Sequence, residues 1–592
     1  MALALLKKNL QMKGGEVISR MLAAENVDTV FGIIDGTYFG LYSTFETHGI
    51  RLISPRHETC AAHMAGAYAR TTGKLGVCMA SNGPGVANIL PGVAVENAEG
   101  NRVLLLTSCR REGIVYPDRG GAYQSFPQVE VTRPMTKWSC AVPSVDRLAE
   151  IVRRAMRVAF TGRPGIVHVD VPESVLNGKV ETDPSWFRAP DRYRPMEPLT
   201  PGPGQIEEAA TLLTEARTPV IHAGSGVIHA GAFEELREVA ELLEAPITTS
   251  WAARSVVDER MRQAVPMIFL DSVNQARREA DVVLTLGSRI GETDWWGKPP
   301  YWGDAKTQRM IQVDIDTDFL GNIKAVDLAV QADVKAFLQA LIPALQERRS
   351  QMDLDHRMLR IDRIRKGMAA RRSKLDKHLE DLSRPMNSAH VPAECRSLFS
   401  EEDIVVADGG NSAVWTNFFH VVHTPNTLLG TAKMGMLGAG TAQALGAQAA
   451  HPDRRVYCIT GDGAMGMHMQ EIETAVRANL PVIFIVLCDR QWGMVKINQH
   501  FALKPVKTLM RKSLSPEESI NTDFCETRFD DLARAMGAHG ERVDDPKKFA
   551  EAVERSKATG ICSVIHVEVD PVKHMWAPAL KDFKDMHQEP RG

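Results

Sequence analysis

Apolar runs of strand length alternate with helix-period segments along nearly the whole chain. "LGVCMAS" (75–81), "RVLLLTS" (102–108), "GIVHVDV" (165–171), "DVVLTLG" (281–287) and "PVIFIVL" (481–487) are examples. Such alternation is the pattern of βαβ units, so it predicts parallel sheets and an α/β fold. At about 150–200 residues per domain, the 592 residues suggest three domains or four. Two segments break the rhythm. "APDRYRPMEPLTPGPG" (189–204) carries five prolines and reads as a linker. The charged stretch from about Glu347 to Arg384 reads as a solvated helical connection. The resulting division is a first domain over 1–188, a middle domain over 205–346, a connection over 347–384, a third domain over 385–572 and a tail over 573–592.

The first and third domains look like copies. "GAYARTTGKLGVCMASNGPG" (66–85) runs helix, turn, strand and a glycine turn, and "GAQAAHPDRRVYCITGDG" (446–463) does the same. Each continues through a helix into an apolar strand that ends in cysteine, "NRVLLLTSC" (101–109) and "NLPVIFIVLC" (479–488). "IVHVDVPE" (166–173) then echoes "VIHVEVDP" (564–571). Three matches in one order predict a duplicated domain. The middle domain has its own pattern, beginning at "PVIHAGSG" (219–226).

Composition excludes some partners. A formal net charge of −3 gives no electrostatic footprint for nucleic acid or a membrane surface. No run of about 18 apolar residues is present, so no transmembrane helix is expected. The nine scattered cysteines form no CxxC pair, which argues against a zinc site or a disulfide framework and for a reducing cytoplasm.

Chemistry concentrates in "RRVYCITGDGAMGMHMQEIETAVRANLPVIFIVLCDRQWGM" (454–494). Two apolar strands each end on an acid, Asp462 and Asp489, and consecutive parallel strands of a right-handed βαβ unit end on one sheet edge, where ligands bind. Gly461 and Gly463 let backbone approach a ligand and free the amides of the following helix start. Helix-start amides attract an anion and two carboxylates attract a hard cation; Mg²⁺ carrying a diphosphate meets both demands. The plainer reading is a Gly-Asp turn with a capping acid. No G-x-x-x-x-G-K-[ST] loop is present; Gly66 to Lys74 has the wrong spacing, and Leu75 stands where a hydroxyl is needed.

With those residues in view, "GDGAMGMHMQEIETAVRANLPVIFIVLCDRQWGMV" resembles the thiamine-diphosphate enzymes, in particular their acetolactate synthase branch. The resemblance covers about residues 14–570 and implies three parallel-sheet α/β domains, the first and third alike and the middle one nucleotide-binding-like. It implies Asp462 and Asp489 as side-chain ligands of Mg²⁺ and Gln491 as a carbonyl ligand. The family ends this strand in Asn-Asn, whereas this chain has Cys488-Asp489. "FGIIDGTYFGLYSTFETHGIRLISPRHETCAAHMAGAYARTTGK" resembles the region that supplies the family's glutamate, which falls on Glu58. Alone, Glu58 is an acid favoured by a helix start; within the pattern it is the acid bonded to the cofactor's N1′, which must work in a desolvated place. "TAKMGMLGAGTAQALGAQ" (431–448) resembles the segment that bends the cofactor, with Leu437 beneath it and the Gly435 carbonyl accepting from its 4′-amino group. "DGGNSAVW" (408–415) resembles a diphosphate loop and implies Gly410, Asn411 and Ser412; Ala464 and Met494 complete the cofactor-binding candidates. "GAYQSFPQVEVTRPMTKW" (121–138) puts Gln124 opposite the reacting carbonyl.

Departures from that branch lie on the acceptor side: Gly32-Ile33-Ile34-Asp35-Gly36 replaces Gly-Tyr-Pro-Gly-Gly, and Asn498 replaces a tryptophan. "WWGKPPYWGDAKTQRMIQVDIDTDFLGN" (295–322) is similar to oxalyl-CoA decarboxylases and 2-hydroxyacyl-CoA lyases, whose thiamine motif reads GDS rather than GDG. "HAGSGVIHAG" (222–231) is a weak nucleotide loop, leaving FAD, ADP or neither open for the middle domain. The expected function is a carboligase that decarboxylates a 2-oxo acid such as pyruvate and transfers the carbanion to an acceptor carbonyl. The alternatives are a 2-hydroxyacyl-CoA lyase and a non-catalytic subunit. The resemblance implies a homodimer or homotetramer with active sites between subunits. Trp576, Leu580 and Phe583, at helical spacing beside Lys581 and Lys584, suggest that the tail is a lid.

Overall fold

The computed structural model describes residues 10–580 together with 582, 585 and 590. The expectation for Lys581, Phe583 and Lys584 therefore lies outside the described residues. Three six-stranded parallel sheets make up three α/β domains. The first sheet uses Thr29–Gly32, Arg51–Ile53, Gly76–Ala80, Val103–Cys109, Trp138–Ala141 and Ile166–Pro172. Counted along the chain, its strands lie in the order 2-1-3-4-6-5. The third sheet uses Ile404–Ala407, Leu428–Leu429, Val456–Gly461, Ile483–Cys488, His539–Val543 and Ser563–Glu568, and its order is also 2-1-3-4-6-5. The sequence echo between the two domains is thus an echo of topology.

The middle sheet differs. Val220–Ala223, Ile247–Thr249, Ala264–Val265, Val282–Leu286, Arg309–Asp314 and Leu328–Gln331 lie in the order 3-2-1-4-5-6, the arrangement of a dinucleotide-binding fold. Central strands such as Val103–Cys109 and Ile483–Cys488 are buried at every residue, which is why they read as unbroken apolar runs rather than alternating ones.

Helix Glu58–Thr72 of the first domain packs along helix Ala439–Ala450 of the third, and Cys60, Ala61, Met64 and Ala65 share one core with Ala442 and Leu445. Small residues permit the close approach: a Cβ on Gly446 would lie 2.2 Å from the Met64 carbonyl oxygen. The charged connection is more than a wet face. Its helix Leu354–Leu375 buries Arg357 and Arg360. Arg357 donates to the carbonyls of Leu213, Thr214, Ala216 and Leu243, and Arg360 to those of Pro219 and Ala276. Several of these are last-turn carbonyls of middle-domain helices, which have no partner within their own helix. The proline-rich linker is also tied down: Arg194 meets Glu25 at 3.0 Å, and the Asp333 amide donates to Leu199 at 2.8 Å. Among the described residues no helix is long and apolar enough to cross a membrane.

Candidate active site

Asp462 is the first residue of a helix that starts directly after strand Val456–Gly461, and Asp489 follows the adjacent strand Ile483–Cys488. Asp462 accepts hydrogen bonds from the Gly463 and Arg490 amides, both at 2.7 Å. Asp489 accepts from the Gln491 side chain at 3.0 Å. Burial, and then the charge of Asp489, pushes the Asp462 carboxyl up to about 7. Burial pushes Asp489 to about 7 as well, against its bonds to Gln491. Two buried carboxylates that disfavour each other's charge are what a cation would relieve. The Gln491 carbonyl accepts from the Gly493 amide at 2.9 Å and retains a second lone pair. No group of three or more His, Cys, Asp or Glu side chains able to hold a metal occurs among the described residues, so this pair would need carbonyl and phosphate oxygens to complete a shell.

The glycine-rich loop after strand Ile404–Ala407 meets this edge. A Cβ on Gly461 would lie 2.7 Å from Ser412 Oγ, and one on Gly493 would lie 2.6 Å from Asn411 Nδ2. Gly410 faces the Met494 side chain at Cβ distance 3.3 Å. Asn411 is buried and its Oδ1 has no hydrogen-bond partner, an acceptor left open toward a donor or cation. Gly410, Asn411, Ser412, Gly461, Asp462, Gly463, Asp489 and Met494 therefore converge, with Gln491 beside Asp489. The segment with Gly435 and Leu437 leans on the same helix start. A Cβ on Gly438 would lie 3.1 Å from the Ala464 carbonyl oxygen. Gly435 is exposed with φ +60°, and Leu437 is half-buried.

Two residues here were not singled out from the sequence. Asp408 accepts from the Gly409, Gly438 and Gly440 amides at 2.6, 3.3 and 3.0 Å, pinning the Gly410–Ser412 loop to the Gly435–Leu437 segment. Burial raises its carboxyl to about 6. An acid directly before Gly-Gly at a strand end was the available signal. His574 is buried, 2.6 Å from Ser388 Oγ and 3.4 Å from Ser412 Oγ, and burial lowers its pKa to about 4 although Asp462 pulls it upward. The Trp415 indole donates to the His574 carbonyl at 2.9 Å. The start of the tail, to which His574 belongs, thus packs on the helix that follows the Gly410–Ser412 loop. Nothing in "KHMW" marks this in one dimension.

Glu58 begins helix Glu58–Thr72 after the His57 cap, is half-buried, and accepts from Asn88 Nδ2 at 3.1 Å. Gln124 is exposed with φ +53°, and its carbonyl accepts from Asn82 Nδ2 at 2.9 Å. The hydrogen bonds of both stay within the first domain, whereas the neighbours of Glu58 reach the third: the Arg56 amide donates to Glu471 at 3.0 Å, and the His57 ring lies 5.9 Å from that of His468 in the helix that begins at Asp462. Beneath Gln124, Gln128 accepts from the Gly83 amide at 2.8 Å and donates to buried Asp170 at 2.9 Å. Of the positions that depart from the acetolactate synthase branch, Ile34 and Asn498 are exposed, and Asp35 caps a short helical turn by accepting from the Thr37 amide at 2.8 Å.

A cavity of about 900 Å³ opens at the middle sheet, where Gly224–Gly226 and Gly287–Ile290 follow its first and fourth strands. These are the strands between which the order reverses, the place where open α/β sheets bind ligands. Arg102 and Arg163 of the first domain, the linker, and Lys433 of the third domain complete its wall.

Comparison with known proteins agrees with this division. Residues 12–131 match the thiamine pyrophosphate enzyme N-terminal TPP binding domain, 206–341 the central domain, and 408–567 the C-terminal TPP binding domain. The chain is 28% identical over 579 residues to the acetolactate synthase isozyme 3 large subunit of Escherichia coli (strain K12), covering 96% of this chain and 97% of that one. It is 27% identical over 578 residues to the probable acetolactate synthase large subunit of Methanococcus aeolicus, covering 95% and 92%. Matched in all three of its domains, in order and over almost its full length, the chain belongs to the thiamine pyrophosphate enzyme family.

Proposed function

We propose that the protein is an acetolactate synthase-like carboligase that decarboxylates a 2-oxo acid of the pyruvate type, releasing CO2, and transfers the resulting carbanion to an acceptor carbonyl. The observation that carries this is the pair Asp462 and Asp489 at two adjacent strand ends, beside the open acceptor of Asn411. In this reading Asp462, Asp489 and the Gln491 carbonyl hold Mg²⁺. Gly410, Asn411, Ser412, Gly461, Gly463, Ala464 and Met494 surround the diphosphate. When bound, thiamine diphosphate supplies an electron sink for the carbanion left by bond cleavage. The Gly435 carbonyl accepts from the 4′-amino group, and Leu437 supports the cofactor from below. Glu58 holds or moves a proton at N1′, and Gln124 orients the substrate carbonyl. As the resemblance implies active sites between subunits, the reading has a second copy of the chain bring its Glu58 to this Asp462 edge and exclude water there. The middle cavity is assigned to a nucleotide, FAD or ADP, on the strength of its position where the strand order reverses.

Glu58→Gln tests the catalytic core. It should bind thiamine diphosphate with Mg²⁺ within a few-fold of wild type, because affinity comes mainly from the metal–diphosphate end. Deuterium exchange at C2, read by NMR after acid quench, should slow by about 10²–10⁴-fold. Wild-type exchange in that variant overturns the role of Glu58. Pyruvate turnover without cleavage of 2-hydroxyacyl-CoA supports the carboligase; formyl-CoA release without pyruvate loss would make the protein a lyase.

A further inference from the structure

Glu471 opens helix Glu471–Arg477, shortly after the helix that begins at Asp462. Its side chain is fully buried, and it reaches a first-domain residue 415 positions away along the chain. The Arg56 amide donates to both of its carboxylate oxygens, at 3.0 and 3.1 Å, and Thr474 Oγ1 donates to it at 2.7 Å. Burial raises the Glu471 carboxyl, and bonds from Thr474, Arg56, Cys60 and His57 oppose that rise. A buried acid is costly unless it is hydrogen-bonded. Here Arg56, His57 and Cys60, the residues on either side of Glu58, supply most of those bonds.

Residues 54–57 are the irregular link between strand Arg51–Ile53 and helix Glu58–Thr72. Two further contacts join this link to the same third-domain helix. Arg477 donates to the Ser54 carbonyl at 2.6 Å, and the Arg56 guanidinium lies 4.0 Å from Glu473. Arg477, Arg56 and Glu473 are exposed enough for solvent to screen them. The charge-assisted bond to Glu471 is sheltered from water and is the stronger anchor. Beyond it, His57 caps the helix by accepting from the Thr59 amide at 3.2 Å. Glu58 thus sits between an amide held by Glu471 and an amide held by His57. Its own carboxylate accepts from Asn88 Nδ2 at 3.1 Å, which steers the side chain and leaves the backbone to those two anchors.

We propose that Glu471 is a positioning residue for Glu58: reaching from the third domain to the Arg56 amide, it sets where the helix start presents Glu58 to N1′ of the thiamine cofactor. This rests on the reading of Glu58 given above. A reacting group displaced by about 1 Å can lose about 10²-fold in rate, so the reach of the Glu471 side chain matters more than its charge. Two variants separate reach from charge. Glu471→Asp keeps the carboxylate and shortens it by one methylene. Glu471→Gln keeps the length and an acceptor oxygen, and its amide can donate to the Thr474 hydroxyl. In the cofactor-free, full-length protein, hydrogen–deuterium exchange read by mass spectrometry should be about 10-fold faster over residues 54–60 in Glu471→Asp, the loss of one hydrogen bond, and near wild type in Glu471→Gln. With thiamine diphosphate and Mg²⁺ bound, deuterium exchange at C2 should slow about 10-fold in Glu471→Asp and stay near wild type in Glu471→Gln. Calorimetric affinity for the cofactor should be unchanged in both. Added to Glu58→Gln, Glu471→Asp should slow C2 exchange little further, because a residue that acts through another has no separate effect once that other is removed. Wild-type C2 exchange in Glu471→Asp overturns the proposal. So does equal slowing in both variants, which would assign the effect to charge, and so does a full multiplied loss in the double variant. Glu58→Gln alone tells the two failures apart. If it exchanges at wild-type speed, the Glu58 reading falls and the positioning role with it; if it is slow while Glu471→Asp is unchanged, only the positioning role falls.

Discussion

At matching ends of two sheets with one strand order, the first domain carries Pro84 and Arg110 and the third carries Asp462 and Asp489. Pro84 and Asp462 each open the helix after the third strand of their sheet. Arg110 and Asp489 each follow the fourth strand, directly after a cysteine. Arg110 pairs with Glu173 at 3.3 Å, so that edge is internally neutralised, while the charge of Asp489 pushes the Asp462 carboxyl up, and among the described residues neither acid has an ion pair. Topology places the edge, and two residues per copy decide whether it attracts a metal. The first domain uses its copy of the edge for a hydrogen-bonded polar network instead, running from Gln124 through Asn82, Gly83 and Gln128 to Asp170.

The strongest way to break this contrast is to give the third domain the first domain's charge. Asp489→Arg should abolish Mg²⁺-dependent binding of thiamine diphosphate in calorimetry, a loss of roughly 10³-fold or more, because it replaces a hard oxygen ligand with a cation. Asp489→Asn keeps an oxygen and relieves one negative charge, so its binding should stay within about 10-fold of wild type. Equal loss in both variants would mean that Asp489 does not ligate the metal.

A smaller effect is expected at His574. It touches Ser412 and lies close to Asp462, whereas the first domain's buried His168 reaches its network at Asp170 only through Thr107. Residues that orient ligands of a metal site typically contribute 10–100-fold in affinity. His574→Ala should therefore weaken thiamine diphosphate about 10-fold while His574→Gln, which can still bond both serines, recovers part of it. Wild-type affinity in the alanine variant would reduce His574 to packing.

The repeat and the parallel sheets were readable because strand-length apolar runs and glycine turns are local signals, and both copies keep them. Asp462 and Asp489 were readable because an acid at the end of an apolar run is conspicuous. Asp408 and His574 were not, since their partners come from loops far away in sequence. Arg357 and Arg360 were misread as wet because a charged run looks solvated whatever helix ends it meets in three dimensions. Lys433 was hidden inside a motif attributed wholly to the thiamine cofactor, although its side chain serves the middle cavity.

The sixth strands sharpen the comparison in a different currency. "IVHVDV" and "VIHVEV" place a histidine two residues before an acid in both domains, yet the two acids behave oppositely. Burial raises Asp170 to about 6, against hydrogen bonds from Thr107, Tyr116 and Gln128. Glu568 would also be raised by burial, but His566, Arg490 and Arg542 outweigh it and bring it down to about 2. For Asp170 the folded state holds its proton up to a higher pH than the unfolded state, so the wild type loses stability as pH rises from about 4 to about 6. Asp170→Asn lacks that titration, so its stability relative to wild type should improve by about 3 kcal/mol across the same window and stay level above it. For Glu568 the sign reverses: its stabilisation is complete above about 4.5 and fades as pH falls toward about 2. Glu568→Gln should cost about 1–2 kcal/mol at pH 7 once solvent screening is allowed for, with the deficit narrowing below about 4.5. Urea unfolding of both variants and wild type between about pH 2 and pH 7 reads the two slopes. Parallel slopes would mean that position in the repeat, rather than the charged neighbours of each copy, sets the protonation of these acids.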